Sequence, residues 1–268
     1  MNRRQLGLTI SAIALFGGPT FGMSAAASAL IDSVEGARRT AKNTARDKWR
    51  HPAATLAFWG LAPGMTVIEV DPAGGYWTEI VAAYLSKTNG RYVAAMGGDM
   101  TAFQARFSDK AIWGDVRVAA FGTGGGDLAP TGSADMVITA RNIHDWMWTP
   151  GRLDKALGDF HAALKPDGLL AVEEHRADPR PMVPEARDGY VNTAWLVAAV
   201  ERAGFRLQAS TDLNANPLDT KDHPFGVWTL PPTRRTHAKD QPTPPGFDSA
   251  KYEAIGESDR MTLRFRKV

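Results

Sequence analysis

No cysteine occurs anywhere in the 268 residues. That excludes disulfides, thiolate metal sites, a thiol nucleophile and a lipid-modified N-terminal cysteine. Net charge is almost absent as well, with 31 basic against 29 acidic side chains. A chain so balanced has no electrostatic footprint for nucleic acid, and none is expected as a partner. A long hydrophobic run is also missing: the apolar stretch from Leu6 to Phe16 is short and is broken by Gly17, Gly18 and Pro19. It is too brief for a stable membrane span in the mature form. A hydrophobic content of 44% nevertheless supports a sizeable core and excludes disorder.

The first residues read as a targeting segment. Arg3 and Arg4 precede the apolar stretch, a small-residue tract follows from Ser24 to Ala29, and Ala27-Ser28-Ala29 offers an A-x-A cleavage site. The Asn-Arg-Arg-Gln-Leu start resembles a twin-arginine export signal, which places the mature protein, beginning near Leu30, in the periplasm or outside the cell. Removing residues 1–29 takes away two arginines and no acid, which cancels the +2 charge of the full chain.

Residues 30–64 predict a helical cap, and residues 65–268 an α/β domain with a proline-rich loop over 231–249. Strands are predicted at Thr66–Val70, Arg91–Met96, Val116–Phe121, Asp135–Ala140, Leu169–Glu173, Phe205–Ser210 and Met261–Lys267. Helical patterns separate the earlier ones, which implies a doubly wound, mostly parallel sheet. One such helix carries Leu153, Ala156, Leu157, Phe160 and Leu164 and stops at a turn over Lys165-Pro166-Asp167-Gly168.

The segment Met65–Leu85 is the most informative. Val67, Ile68 and Val70 suit a strand covered on both faces. Pro72, Gly74 and Gly75 end it, and Trp77, Ile80, Val81, Tyr84 and Leu85 form one helical stripe. Such a turn presents backbone N–H groups to a ligand at a helix N-terminus.

That strand and turn, the Leu164-Lys165-Pro166-Asp167-Gly168-Leu169 approach and Ala203-Gly204-Phe205 together resemble class I S-adenosylmethionine-dependent methyltransferases. Trp49-Arg50-His51-Pro52, Arg141-Asn142-Ile143-His144, Glu174-His175-Arg176, Asp219-Thr220-Lys221-Asp222-His223-Pro224 and Gly256-Glu257-Ser258-Asp259-Arg260-Met261 resemble, more narrowly, a bacterial group of exported predicted methyltransferases. The resemblance implies a seven-stranded Rossmann-like sheet with S-adenosylmethionine across the C-terminal ends of strands one to four. Glu69 then helps to hold the methionine moiety, with Asp71, Gly74 and Gly75 in the turn beside it. Asp71 and Ala73 stand where glycines are usual, and Met96 stands where an acid for the ribose is usual, with Asp99 three residues on. Asp127 matches the residue that reads the adenine amino group, and Asn142 the polar group facing the transferable methyl.

His144, His175 and His223 follow three segments expected at the ligand edge, and an imidazole there can act as a general base. Trp146, Glu174, Arg176 and His223 are the candidates for binding a small or medium-sized acceptor, and the Asn214–His223 segment reads as an ordered loop over that edge. Two alternatives accompany the methyltransferase reading: an exported binding or structural protein on the same fold, and a metal-dependent enzyme using His144, His175 and His223. The methyltransferase reading itself requires no metal.

Overall fold

The computed structural model describes residues 24–122 and 127–268. The expected export signal therefore lies, up to residue 23, outside the described residues. The described residues form eight strands: β1 (Thr66–Val70), β2 (Arg91–Met96), β3 (Val116–Ala120), β4 (Ala134–Ala140), β5 (Leu164–His175), β6 (Phe205–Thr211), β7 (Pro224–Val227) and β8 (Arg260–Lys267). All but β7 form one seven-stranded sheet in the order β3-β2-β1-β4-β5-β8-β6. From β3 through β5 the pairings are parallel, and β8 runs antiparallel between β5 and β6.

The central strands are buried on both faces, as their continuous apolar runs require. Ile68 and Val70 of β1 enter one layer and Val67 the other, because successive side chains alternate across a strand. On the first face α9 (Arg152–Ala163) and α10 (Thr193–Arg202) lay Leu157, Phe160, Leu196 and Val200 on the sheet. On the second, α4 (Pro52–Trp59) and α5 (Thr78–Lys87) contribute Leu56, Trp59, Ile80 and Val81. Each such side chain, fully buried, stabilises the fold by about 1.5–3 kcal/mol before entropy is counted.

The α5 stripe is the predicted one, but Thr78, Glu79, Ala82 and Ala83 are buried too. The reason is a covering layer: α1 (Ala25–Glu35), α2 (Ala41–Thr44) and α3 (Asp47–Arg50) precede α4, and α1 packs on α5. Ser24 caps α1 by accepting from the Ala27 N–H at 3.2 Å, so the expected cleavage point after Ala29 falls inside this helix. Of the remaining helices, α6 (Thr101–Arg106) and α7 (Lys110–Trp113) lie between β2 and β3, α8 (Ile143–Trp146) follows β4, and α11 (Ser249–Ile255) precedes β8. No described helix is long and apolar enough to cross a membrane.

The sequence reading misplaces one boundary. The expected turn at Lys165–Gly168 lies within β5, which starts at Leu164 beside Ala134 and shifts register before Met136 pairs with Leu169. Asp167, at φ +61°, absorbs the irregularity. Proline and glycine here make a bulge in a strand rather than an end to it.

Candidate functional site

The parallel strands β1 and β4 end side by side, and the chain turns away from both there. After β1 the backbone takes left-handed conformations at Asp71 (φ +44°), Ala73 (+46°) and Gly75 (+69°). Only the glycine does so without strain, and each of the other two costs on the order of 1–3 kcal/mol. Asp71 is held in place: its N–H donates to Ala95 O at 2.8 Å, and Trp146 Nε1 donates to its carboxylate at 3.2 Å. Burial raises the Asp71 pKa, with the Trp146 hydrogen bond opposing.

The two adjacent glycines do different work. A Cβ on Gly74 would meet nothing within 4 Å, whereas one on Gly75 would lie 2.8 Å from the Phe107 ring. Gly74 borders open space and Gly75 is packed shut from behind.

That space is a cavity of about 180 Å³ walled by the ends of β1, β4 and β5, by α3, and by the segment from Val227 to Thr233. Glu69, Asp71, Gly74, Asn142, His144 and His175 all line it. Glu69 Oε2 accepts from Thr78 Oγ1 at 2.9 Å and from the Tyr92 hydroxyl at 2.5 Å, while Oε1 accepts no hydrogen bond from a described residue. Burial pushes the Glu69 carboxyl up to about 7 against the pull of those two bonds. Asn142 Nδ2 donates to Val70 O at 2.8 Å and so ties the end of β4 to the end of β1.

His144 opens a dyad that continues into the next strand. Its Nδ1 lies 2.9 Å from Glu174 Oε1, and since a carboxylate only accepts, Nδ1 carries the proton and Nε2 the lone pair. The Ile143 and His144 N–H groups donate to Glu174 Oε2, and the His175 N–H to Oε1, so both carboxylate oxygens are committed. Burial works to lower the His144 pKa, but the Glu174 carboxylate outweighs it and raises the value. His175, 5.1 Å away between ring centroids, is pushed the other way by burial, by His144 and by nearby arginines. Its Nδ1 bonds Ser258 Oγ at 2.5 Å. The pair thus divides into a basic imidazole with a carboxylate behind it and a neutral one beside it.

Arginines form the opposite wall. Arg50, Arg46 and Arg39 present guanidinium groups to the Tyr76 ring at 4.4, 5.6 and 5.3 Å. Glu257 accepts from Arg46 at 2.5 Å, from Arg50 at 2.8 Å and from Arg260, which also reaches Glu173 at 2.8 Å. Arg141, at φ +63° just beyond β4, lines the same cavity.

Other expected residues lie elsewhere. Arg176 is outside the cavity, pairing with Asp259 at 2.8 Å and Asp212 at 2.5 Å. The expected metal trio is not assembled: His223 is buried apart, 2.8 Å from Asp219, with the Tyr190 ring between it and His175. His144, Glu174 and His175 do bring potential ligand atoms within 4.8 Å of one another, with Glu174 Oε1 engaged by His144 Nδ1 and by the His175 N–H. Trp146 is a core residue packed on Phe121 and Phe160, and it serves the site through Asp71. Glu174 acts from behind His144 rather than from the cavity wall. Asp99 is exposed and caps the start of α6 through the Thr101 N–H at 2.9 Å, a bond that lowers its pKa. Asp127 is exposed next to residues 123–126, which are outside the described residues.

The Asn214–His223 loop does not line the cavity. Asn214 bonds Thr55 and Thr262, and Asn216 bonds the Ile255 and Glu257 carbonyls, so this loop is scaffold beneath the arginine wall. The wall residues missed from sequence are Arg46, Arg50, Arg141, Tyr76 and Trp228. Arg50 and Arg141 each lie next to a histidine-bearing phrase, and that adjacency was the available signal.

A mostly parallel, Rossmann-like sheet flanked by helices, with its cavity at the strand ends, defines a methyltransferase-type fold. Among solved structures, the chain resembles a SAM-dependent methyltransferase from Aquifex aeolicus with a TM-score of 0.55 and 16% identity, over 85% of this chain and 95% of that one. It resembles the [4+2]-cyclase SpnF with a TM-score of 0.56 and 15% identity, over 90% and 92% of the two chains. A third match is an S-adenosylmethionine-dependent methyltransferase from Mesorhizobium loti, with a TM-score of 0.50 and 12% identity over 87% and 100%. These likenesses establish the fold. No protein-family model matches the sequence, and no curated protein matches it.

The donor set suits the amino-acid end of such a cofactor. Glu69 Oε1 and the Asp71 carboxylate are acceptors for an ammonium, and the open edge at Gly74 lets a chain pass close to the backbone. The cavity is smaller than the roughly 300–1,000 Å³ usual for a whole ligand. The fit therefore concerns this end alone, since Asp127, expected at the adenine, directly follows residues 123–126, which lie outside the described residues.

Proposed function

We propose that the chain is an S-adenosylmethionine-dependent methyltransferase of the exported bacterial group, acting in the periplasm or outside the cell on a small acceptor. The observation that carries this reading is the meeting of an open glycine turn and a carboxylate-backed imidazole in one cavity at the ends of β1 and β4. SpnF, named as a cyclase, shares the fold, so the fold by itself does not select the reaction.

When bound, the cofactor supplies an electrophilic methyl group. Glu69 and Asp71 hold its ammonium, and Gly74 lets it lie against the turn. His144 Nε2 accepts the proton released by the acceptor, while Glu174 fixes the tautomer and steadies the imidazolium that forms. Asn142 keeps β1 and β4 in register, so that donor and base stay aligned.

Isothermal titration with S-adenosylhomocysteine tests the reading. Gly74→Leu fills the open side without forcing a left-handed backbone, because Gly74 is not among the positive-φ glycines. It is expected to abolish binding with an unchanged melting temperature. Well-folded wild-type protein that gives no heat would remove the proposal.

A further inference from the structure

Arg141 brings to the cavity a guanidinium with which no described acid pairs directly. Among the described residues none pairs with the Arg141 guanidinium: its Nε is buried without a partner and its Nη atoms make no hydrogen bond. Burial lowers its pKa, Arg50, Arg260 and Arg46 add to that, and Glu257 opposes from beyond hydrogen-bond reach. Arg50, 1% exposed, has Nη2 unpartnered, and Arg46 has Nη2 unpartnered as well. The carboxylates Glu257 and Glu173 are shared among Arg46, Arg50 and Arg260, and neither reaches Arg141. The acids on the cavity wall, Glu69, Asp71 and Asp145, make no ion pair with it either. The Arg141 side chain is half-buried with only Nε fully enclosed, so its Nη edge remains open to the cavity and an entering anion would supply the direct partner it lacks.

We infer that the acceptor molecule carries a compact oxyanion, a carboxylate or a phosphate, and that Arg141 and Arg50 grip it. Calling the bound molecule the acceptor rests on the methyltransferase reading above. Arg141 lies three residues before His144, so the anion grip and the base ride on one segment, and with Nδ1 of neutral His175 accepting from the Ser258 hydroxyl its Nε2–H is a donor for the same anion. A planar fork of donors suits either oxyanion. Such a group would also offset the arginine wall, which otherwise disfavours a sulfonium cation nearby.

The test is titration of the full chain with inorganic phosphate and with acetate, each with and without saturating S-adenosylhomocysteine. At least one anion is expected to bind, and to bind still when the nucleoside is present. A preference for phosphate indicates a phosphorylated acceptor, and binding of acetate a carboxylated one. Arg141→Met keeps the aliphatic stem and is expected to weaken the anion by about 10- to 100-fold. The same variant is expected to raise the melting temperature without anion, because it relieves repulsion from Arg50, Arg260 and Arg46, whereas loss of a merely structural arginine lowers it. Failure of both anions to bind overturns the inference, as does displacement of the anion by S-adenosylhomocysteine, which would assign the arginines to the cofactor's own carboxylate. Anion binding by a protein that gives no heat with S-adenosylhomocysteine itself leaves the oxyanion site standing and defeats the methyltransferase reading instead.

Discussion

Replacing Glu69 by glutamine turns its buried acid into a measurable dependence of stability on pH. Burial raises the carboxyl from 4.5 to about 7, with the Tyr92 and Thr78 hydrogen bonds opposing. A folded pKa above the unfolded one means that the group's contribution is complete below about 4.5 and is lost as pH rises through about 7. At 1.36 kcal/mol per pH unit, that gap amounts to about 3 kcal/mol. Glutamine mimics the neutral acid, since one amide oxygen can accept both from Tyr92 and from Thr78. The variant should therefore match wild type near pH 4.5 and exceed it by about 3 kcal/mol at pH 9. Urea unfolding at several pH values, read as midpoint shifts at constant slope, measures this directly. Parallel stability curves for the two proteins would refute the burial argument. A companion titration follows: at pH 7 the ammonium of S-adenosylhomocysteine beside Oε1 should expel the proton from wild type and not from the variant, so only wild type shows heats that depend on buffer ionisation.

Two further outcomes are expected. In Glu174→Gln the amide cannot accept from every donor that the carboxylate serves, so stability should fall by about 3–5 kcal/mol in denaturant titration and the His144 pKa, followed by NMR, should drop. In wild type the Glu174 contribution through His144 is fully present below 6.5 and fades as pH rises through the raised folded value, so a cost that grows with pH would contradict the dyad. For the export signal, mass spectrometry of protein recovered from the periplasm should give a mature N-terminus near Leu30, and full-length chain retained in the cytoplasm would argue against secretion.

The fold was legible because most core strands are short apolar runs bounded by turn residues. Thr66–Val70 and Arg91–Met96 need nothing beyond their own sequence to be recognised. Lys165–Gly168 misled because a proline and glycine that stop an isolated strand are absorbed when neighbouring β4 supplies the register. His144 and His175 could be placed at the site from their positions after strands, and both line the cavity. His223 carries the same residue type after a similar loop, yet a buried carboxylate four residues earlier, Asp219, claims it. Nothing in its local sequence separates the two fates. The arginine wall escaped notice for a related reason: the Arg46–Arg50 turn, Arg141 and Arg260 come from distant parts of the chain, and only the tertiary fold brings them near Glu257, which pairs directly with all but Arg141.

The two extremities of the described chain are stitched together at this point. Gly256 adopts φ +85° where any Cβ would run into the Trp49 indole, Glu257 joins Arg46 and Arg50 to Arg260, and Asn214 bridges Thr55 to Thr262. Without residues 257–267, Arg46 and Arg50 would lose the carboxylate that they share. A substitution or insertion that displaces β8 is therefore expected to loosen the arginine side of the cavity from a position 211 residues away in the chain.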